Sequence, residues 1–267
     1  LYANAINTFI LTKKIHKKDI KAIGLHGQTL WHEPNSKSPF SMQLGNANVI
    51  TAQTGVSVVS DFRQKDIALG GQGAPFAPAF HKFIFNRLEG NIAVVNIGGM
   101  ANLTILGEKL IGYDTGCGNI LMDSWISTKK DLPYDEQGKW ASSGTIHPKL
   151  LKSLLCDPYF SQEPPKSTGR EYFNKKWLEK QLENFISVND EDIQATLLEL
   201  TTQSIANEVK KTSADMLIIC GGGVKNTQLM RRLKTEINGV EVVSSDECGV
   251  SSEFMEAMAF AWLAYKR

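Results

Sequence analysis

Apolar and polar residues alternate along the chain in two different rhythms, and these rhythms predict the secondary structure. Short, nearly continuous apolar runs predict buried strands at 19–25, 55–60, 91–97 and 215–220. Apolar residues that recur every three or four positions predict helices at 1–15, 78–87, 191–211 and 252–265. Because predicted strands and helices alternate, the pattern indicates an α/β architecture.

Two further stretches complete the predicted elements. The segments 101–106 and 110–113 flank a turn at Gly107-Glu108-Lys109 and predict a β-hairpin. The middle of the chain, from about 128 to 190, is richer in proline, serine and charge, and predicts short helices and loops at the surface.

Composition and charge narrow the class of protein. The 267 residues are 42% hydrophobic and 21% charged, which is typical of a globular protein and excludes a disordered or fibrous chain. The net charge of +1 is not gathered into a patch, so a nucleic-acid partner is not expected. No apolar run approaches the roughly 18 residues of a membrane helix, no signal peptide is recognisable, and the four cysteines form no C-x-x-C pair. We therefore expect a cytoplasmic protein with no zinc site or disulfide.

Glycine-rich loops follow three of the predicted strands, after Val95, Tyr113 and Cys220. Such loops present backbone N–H groups to a phosphate or a sugar, although a tight strand-to-helix turn explains each glycine pair as well. The loops at Asp114 and Gly221 also precede predicted helices, whose N-termini favour anions. Neither a P-loop nor a strict Rossmann motif occurs, so the sequence gives little support to either kind of nucleotide site.

Asp114 is the best candidate for a catalytic base. It follows a predicted strand and lies among glycines, a setting in which a carboxylate stays ionised and can orient water. The alternative is an N-cap aspartate that only starts the next helix. Asp61 and Asp66, which flank Arg63, compete for the role unless they form an ion-paired loop. Glu256 contacts a substrate or lies on a solvated helix face.

Two more segments carry candidate binding groups. His26 and Gln28 follow a predicted strand and suit recognition of sugar hydroxyls better than of a metal, unless His26 is a core histidine. In the second segment Arg170 suits an anionic substrate group. Its alternative is a capping box, because Ser167 or Thr168 precedes Glu171 at the spacing that starts a helix.

The motifs occur in a fixed order along almost the whole chain. They are His26-Gly27-Gln28-Thr29-Leu30-Trp31-His32-Glu33-Pro34, Asp61-Phe62-Arg63, Gly70-Gly71-Gln72-Gly73-Ala74-Pro75, Asn96-Ile97-Gly98-Gly99-Met100-Ala101-Asn102-Leu103, Gly112-Tyr113-Asp114-Thr115-Gly116, Pro165-Lys166-Ser167-Thr168-Gly169-Arg170-Glu171-Tyr172-Phe173 and Cys220-Gly221-Gly222-Gly223. This series closely resembles the anhydro-N-acetylmuramic acid kinases of bacteria.

The resemblance implies an actin-like ATPase or sugar-kinase fold, with two α/β domains around a cleft. The domains it implies are 1–89 for the remainder of the first, 90–250 for the second, and 251–267 for a helix that returns toward the first. The family begins with a phosphate-binding hairpin and ends with a further segment that are not found here, and the helical pattern is already under way at Leu1. We therefore expect this chain to be part of a longer polypeptide.

The resemblance also implies a reaction. Members of the family open 1,6-anhydro-N-acetylmuramic acid with water and transfer the γ-phosphoryl of ATP to the freed oxygen, which yields N-acetylmuramic acid 6-phosphate in cell-wall recycling. ATP and Mg²⁺ are the implied cofactors, and a homodimer is the implied assembly. The motif places the base at Asp114. The residues matched to phosphate or nucleotide contacts are Asn96, Gly98, Gly99, Asn102, Gly221, Gly222 and Gly223. The sugar contacts are His26, Gln28, Arg63 and Glu256, with Arg63 first because the lactyl carboxylate suits a bidentate cation.

Two other hypotheses stay open at this point. One is a non-catalytic sugar-binding remnant of the kinase fold. The other is a glycoside hydrolase that pairs Asp114 with Asp61 or Glu256.

Overall fold

Strands and helices alternate along the computed structural model, which describes residues 1–34 and 36–267. The strands are β1 (Ile23–Leu25), β2 (Gln28–Glu33), β3 (Phe40–Leu44), β4 (Val58–Ser60), β5 (Ile92–Ile97), β6 (Met100–Leu106), β7 (Leu110–Cys117), β8 (Met216–Cys220) and β9 (Glu241–Ser244). The helices are α1 (Tyr2–Thr12), α2 (Ala47–Thr54), α3 (Gln64–Ala68), α4 (Ala77–Ile84), α5 (Ile120–Lys130), α6 (Lys139–Ser143), α7 (Pro148–Leu155), α8 (Lys175–Leu182), α9 (Asp190–Val209), α10 (Thr227–Glu236) and α11 (Met255–Lys266). The predicted α/β class is confirmed.

The chain forms two units. The first comprises Leu1–Phe80 with Glu256–Arg267, and the second comprises His81–Met255. The division predicted at 89/90 and 250/251 stays a prediction. No helix among the described residues is both long and apolar enough to cross a membrane.

The first unit contains two small sheets. Strands β1 and β4 pair in parallel, with Ile23 opposite Val58, and β2 and β3 form an antiparallel hairpin. Helix α11 packs directly on the backbone of β1, because a Cβ at Gly24 would lie 2.5 Å from the Phe260 carbonyl oxygen. Only glycine allows so close an approach. The sequence pattern does not predict this hairpin.

The second unit is built on a five-stranded sheet in the order β7-β6-β5-β8-β9. Strand β6 runs antiparallel to both β5 and β7, while β5, β8 and β9 are parallel. The central strands carry continuous apolar runs because both of their faces are covered.

Helix α9 is the main support of this sheet. It is buried along most of its length and contacts β6 and β7 together with α5, α6, α7 and α10. Its first turn carries Asp190, Glu191 and Asp192, which complement the positive end of the helix dipole. The predicted helix at 191–211 is confirmed to within two residues at each end.

Two local predictions are wrong. Asp114 was expected in a loop or at an N-cap, but it lies inside β7, opposite Asn102 of β6. The capping box at Ser167 and Thr168 does not form, because the next helix, α8, begins only at Lys175. In both places a long-range pairing overrides the local sequence signal.

Candidate functional site

Asp114 in β7 presents a carboxylate held by two neutral donors. The Thr168 backbone N–H donates to its Oδ2 at 2.9 Å, and the Asn102 Nδ2 donates to its Oδ1 at 3.2 Å. Burial raises the pKa of Asp114, the two hydrogen bonds partly offset this rise, and the charge of Glu171 adds to it. The group is therefore a stronger proton acceptor than an ordinary aspartate.

The backbone of Asp114 is fixed on both sides. Its N–H donates to the Lys166 carbonyl oxygen at 3.1 Å, and its own carbonyl oxygen accepts from the Tyr159 hydroxyl at 2.8 Å. The segment around Lys166 and Thr168 therefore lies along β7 as an irregular neighbour. No local sequence signal reveals this contact, since Thr168 is 54 residues from Asp114 and contributes only a backbone N–H.

Gly98 and Gly99 form an open turn at the end of β5. The Gly98 carbonyl oxygen accepts from the Asn119 N–H, and the Gly99 carbonyl oxygen accepts from the Gly118 N–H, each at 2.8 Å. A Cβ at Gly98 or Gly99 would meet no described atom nearer than 3.8 Å. The backbone of this turn is therefore accessible, as contact with a phosphate requires.

A cavity of about 420 Å³ lies beside this turn, and Gly98, Gly99, Asn119, Asp123 and Arg170 are among the residues that line it. Burial, followed by the charge of Asp135, raises the pKa of Asp123 to about 6. The cavity therefore combines exposed backbone with a cation and a titratable carboxylate. The sequence pattern marks Arg170 as an anion-binding group but gives no signal for Asp123.

A chain of amides connects Asn96, near the end of β5, to the candidate base. Asn96 Nδ2 donates to Asn102 Oδ1 at 3.5 Å, and Asn102 in turn donates to Asp114. Gly221 lies against the same group, since a Cβ there would collide with Asn96 Oδ1, and its φ of 79° favours glycine as well. Asn96, Asn102 and Asp114 are thus brought together at the end of the sheet.

The rest of the last glycine loop has two different environments. Gly223 packs on Ile97, and a Cβ there would lie 2.5 Å from the Ile97 Cβ. Gly222 is open, because the nearest described atom to a Cβ would be Asn119 Nδ2 at 3.8 Å. All the residues predicted to contact nucleotide or phosphate therefore belong to the second unit, at the ends of β5, β6 and β8.

His26 and Arg63 form the centre of a second group of predicted residues, in the first unit. Arg63 donates to His26 Nε2 from Nε at 3.2 Å and lies 2.9 Å from it through Nη2, while Nη1 donates to the Gly73 carbonyl oxygen at 2.6 Å. The His26 ring stacks on Phe260, with centroids 4.3 Å apart. Burial, and then the Arg63 charge, lower the pKa of His26 to about 4, so the imidazole is neutral. His26 is therefore both a hydrogen-bond partner of Arg63 and a packed histidine.

The other two predicted sugar contacts are exposed. Gln28 lies at the start of β2, and Glu256 lies in the first turn of α11. Burial lowers the pKa of Arg63, and the charge of Glu256 opposes that change. The charge of Glu256 therefore acts on Arg63. Among the described contacts, none joins Gln28 to His26, and the two are related only by their closeness in sequence.

The loop around Arg63 is stabilised by hydrogen bonds and not by the ion pairs that were the alternative. Asp66 Oδ2 accepts from the Gly73 N–H at 2.7 Å, and Arg63 binds His26 and the Gly73 carbonyl oxygen. Among the described contacts, Arg63 forms no ion pair with Asp61 or Asp66. Within the part of the chain that the structure describes, no group of three or more His, Cys, Asp or Glu side chains is arranged to hold a metal ion.

Comparison with known proteins identifies the family. The family model "Anhydro-N-acetylmuramic acid kinase" matches residues 1–267. The chain is 62% identical over 274 residues to an anhydro-N-acetylmuramic acid kinase of Sulfurimonas denitrificans and 54% identical over 268 residues to one of Sulfurovum sp.. Each match covers 100% of this chain and 74% of the relative.

Among solved structures, two likenesses are more distant. The activator of 2-hydroxyisocaproyl-CoA dehydratase from Clostridium difficile with bound ADPNP gives a TM-score of 0.49 at 14% identity, covering 86% of this chain and 85% of that one. A ROK family glucokinase from Streptomyces griseus gives 0.41 at 12% identity, covering 99% and 88%. These likenesses add nothing to the sequence match, which is decisive. The chain belongs to the anhydro-N-acetylmuramic acid kinase family.

Proposed function

We propose that Asp114 is the base of an ATP-dependent reaction that opens 1,6-anhydro-N-acetylmuramic acid with water and phosphorylates the freed oxygen. The phosphotransferase activity and its place in cell-wall recycling follow from the family. The roles of individual residues are the proposal. The observation that carries it is a half-buried carboxylate held by the neutral donors of Thr168 and Asn102, with no lysine or arginine paired to it among the described contacts.

Asp114 serves the first bond change. Its carboxylate accepts a proton from the water whose oxygen bonds to the anomeric carbon, while the bond from that carbon to the bridging oxygen breaks. The bridging oxygen then bonds to the γ-phosphorus as the bond from phosphorus to the ADP oxygen breaks. The raised pKa of Asp114 supports this role, because a base accepts a proton more readily as its pKa approaches the working pH.

The second unit has the groups that a nucleotide requires. The Gly98 N–H is bound to the Met100 carbonyl oxygen, so the open turn offers the Gly99 N–H. Arg170 offers a cation on the same cavity, and Gly222 offers open backbone on the neighbouring loop. Mg²⁺ in kinases needs only one or two carboxylates, with phosphates and water completing its shell. Asp123, which lines this cavity, is the carboxylate that would hold it. When bound, Mg²⁺ neutralises charge on the transferred phosphoryl group.

The first unit has a group for an acidic sugar. After its bonds to His26 and Gly73, Arg63 keeps one N–H on each terminal nitrogen, which is the arrangement that a carboxylate accepts in bidentate fashion. We assign Arg63 to the lactyl carboxylate, with His26 orienting it. Gln28 and Glu256 are assigned to the sugar hydroxyls. Homodimer assembly, expected from the family, and a cytoplasmic location, expected from the sequence, stay predictions.

The experiment is a coupled assay of ADP release with the anhydro-sugar, repeated with Asp114→Asn. Loss of a general base is expected to lower kcat/KM by about 10²–10⁴-fold. Asp215→Asn is the matched control, because Asp215 is another carboxylate of the second unit but accepts from Asn91 before β8 begins. It is expected to keep activity within about twofold, the range usual for substitutions away from a site.

The outcomes separate the hypotheses. An Asp114→Asn variant that keeps activity within about tenfold of the wild type would remove Asp114 from the mechanism, since a base contributes more than that. Release of unphosphorylated sugar without ATP would instead identify a hydrolase. Binding of sugar without ADP release by the wild-type protein would identify a non-catalytic remnant.

A further inference from the structure

A buried ion pair lies beneath the segments that hold Asp114. Lys166 Nζ lies 2.8 Å from Glu208 Oε1, and these two side chains are only 1% and 4% exposed. Removing two charges from water costs several kcal/mol per ion, so such a pair is weak evidence for stability. A role for this ion pair therefore has to follow from its position near Asp114.

Glu208, in the last turn of α9, contacts both segments that flank the carboxylate of Asp114. Its Oε2 accepts from the hydroxyl of Tyr113, which directly precedes Asp114 in β7, at 3.1 Å. Its Oε1 binds Lys166, which lies two residues before the Thr168 N–H that holds Asp114. One carboxylate thus links β7 to the neighbouring irregular segment.

The link is tight because each connection is short. The Lys166 carbonyl oxygen accepts from the Asp114 N–H at 3.1 Å, so a shift of Lys166 moves a direct partner of Asp114. Tyr159 is packed between the two groups, since its hydroxyl binds the Asp114 carbonyl oxygen and Lys166 Nζ lies 5.3 Å from its ring centre. A change at Glu208 therefore reaches Asp114 from both sides.

We propose that Tyr113, Lys166 and Glu208, here called the Glu208 clamp, position the carboxylate of Asp114 for catalysis. The proposal rests on the function proposed above, in which Asp114 is the base. None of the three is a catalytic residue, because each acts through Asp114 or through Thr168. A displacement of about 1 Å at a reacting group costs up to about 100-fold in rate, so a partial loss of position is expected to cost about tenfold.

The clamp has a signature that a merely structural ion pair lacks. If the clamp is broken, the Thr168 N–H moves away from Asp114, and Asp114 loses a hydrogen bond that favours its ionised form. The acid limb of kcat/KM then moves to higher pH. Glu171 and Tyr159 also face Asp114, and both are left unchanged in the variants.

The same helix provides a matched control. Glu199 of α9 forms an ion pair with Arg232, with Arg232 Nε 2.8 Å from Glu199 Oε2, and the Glu199 side chain is 3% exposed. Its partners are Arg232 and Gln203, and no described contact joins it to β7 or to the 166–168 segment. Glu199→Gln thus breaks a comparable ion pair without touching the clamp.

The test measures kcat, KM, the pH profile and thermal unfolding for Glu208→Gln, Tyr113→Phe and Glu199→Gln. Glu208→Gln is expected to lower kcat about tenfold, to leave both KM values within about twofold, and to move the acid limb to higher pH. Tyr113→Phe is expected to act in the same direction, but by about threefold, because the ion pair stays in place. Glu199→Gln is expected to lower the unfolding temperature without moving kcat or the acid limb.

Each outcome supports or overturns the proposal. A Glu208→Gln variant that loses stability but keeps kcat and the acid limb would make the clamp a structural ion pair only. If Glu208→Gln does not fold, Tyr113→Phe decides, because a folded variant with unchanged kcat and limb overturns the proposal by itself. These results differ from failure of the proposed function, in which Asp114→Asn itself stays active.

Discussion

Asp114 and Glu208 are two carboxylates of the second unit that are shielded from water, and their pKa values are shifted in opposite directions. Burial raises the pKa of Asp114, and only neutral N–H groups oppose it. Burial also acts to raise the pKa of Glu208, but hydrogen bonds and charges from Lys166 and Lys211 outweigh it, so the pKa is lowered. The difference teaches that a neighbouring cation, and not depth in the protein, decides which carboxylate can take up a proton.

The comparison also separates two uses of a buried charge. A base needs a carboxylate whose ionised form is poorly stabilised, and such a carboxylate lowers the free energy of unfolding. A positioning group needs the opposite, because a fully paired carboxylate keeps one protonation state and one geometry. Substitution of the base is therefore expected to raise the free energy of unfolding, and disruption of the positioning group is expected to lower it.

The largest expected effect on stability is that of Lys166→Met. This change leaves Glu208 buried without its inner cation, and removing one partner of a buried ion pair costs about 3–5 kcal/mol of unfolding free energy. Urea denaturation at pH 7 measures the loss. Lys166→Arg, which keeps the charge, is the control and is expected to lose clearly less.

The pH dependence of that loss follows from the sign of the Glu208 shift. Because the folded pKa lies below the ordinary 4.5, the ion pair contributes its stability above pH 4.5, and the contribution is lost as the pH falls through the folded pKa. The difference between wild type and Lys166→Met is therefore expected to be constant near neutral pH and to shrink below pH 4.5. A difference that grows on acidification would contradict the pairing.

The next effect has the opposite sign. Asp114→Asn is expected to stabilise the fold at pH 7 by about 0.5–2 kcal/mol, the gain that single stabilising substitutions commonly give. Because burial raises the folded pKa of Asp114, ionisation costs stability above that pKa, and the cost disappears as the pH falls below the ordinary 3.8. Thermal unfolding at pH 7 and near pH 3.5 checks both halves. A variant less stable than wild type at pH 7 would show that the carboxylate is not penalised.

The sequence predicts well what depends on local pattern. The strands β5 and β8 and the helix α9 follow from apolar runs and from the spacing of Leu197, Ile205 and Val209, because each side chain meets the core in a regular order. Asp114 could be chosen as the base because its motif is local. Its place inside β7 could not, since aspartate and glycine disfavour strands and only pairing with β6 overrides that preference.

The parts that the sequence could not predict involve distant partners. Thr168 contributes a backbone N–H, which every residue except proline has, so nothing in the sequence marks it as the partner of Asp114. The local signal at Ser167 and Glu171 indicated a capping box instead. Glu208 resembles any charged residue near the end of a helix, and its role is visible only when Tyr113 and Lys166 are seen on either side of it.

The smallest expected effect sharpens the comparison most directly, because Glu208 has two lysine partners that differ in exposure. Lys211 Nζ lies 3.2 Å from Glu208 Oε1, but its side chain is 48% exposed, whereas that of Lys166 is 1% exposed. Solvent screens the outer pair, so Lys211→Met is expected to cost only about 0.2–1 kcal/mol in urea denaturation and to leave kcat unchanged. A loss as large as that of Lys166→Met would mean that the outer lysine, and not the clamp, keeps Glu208 ionised.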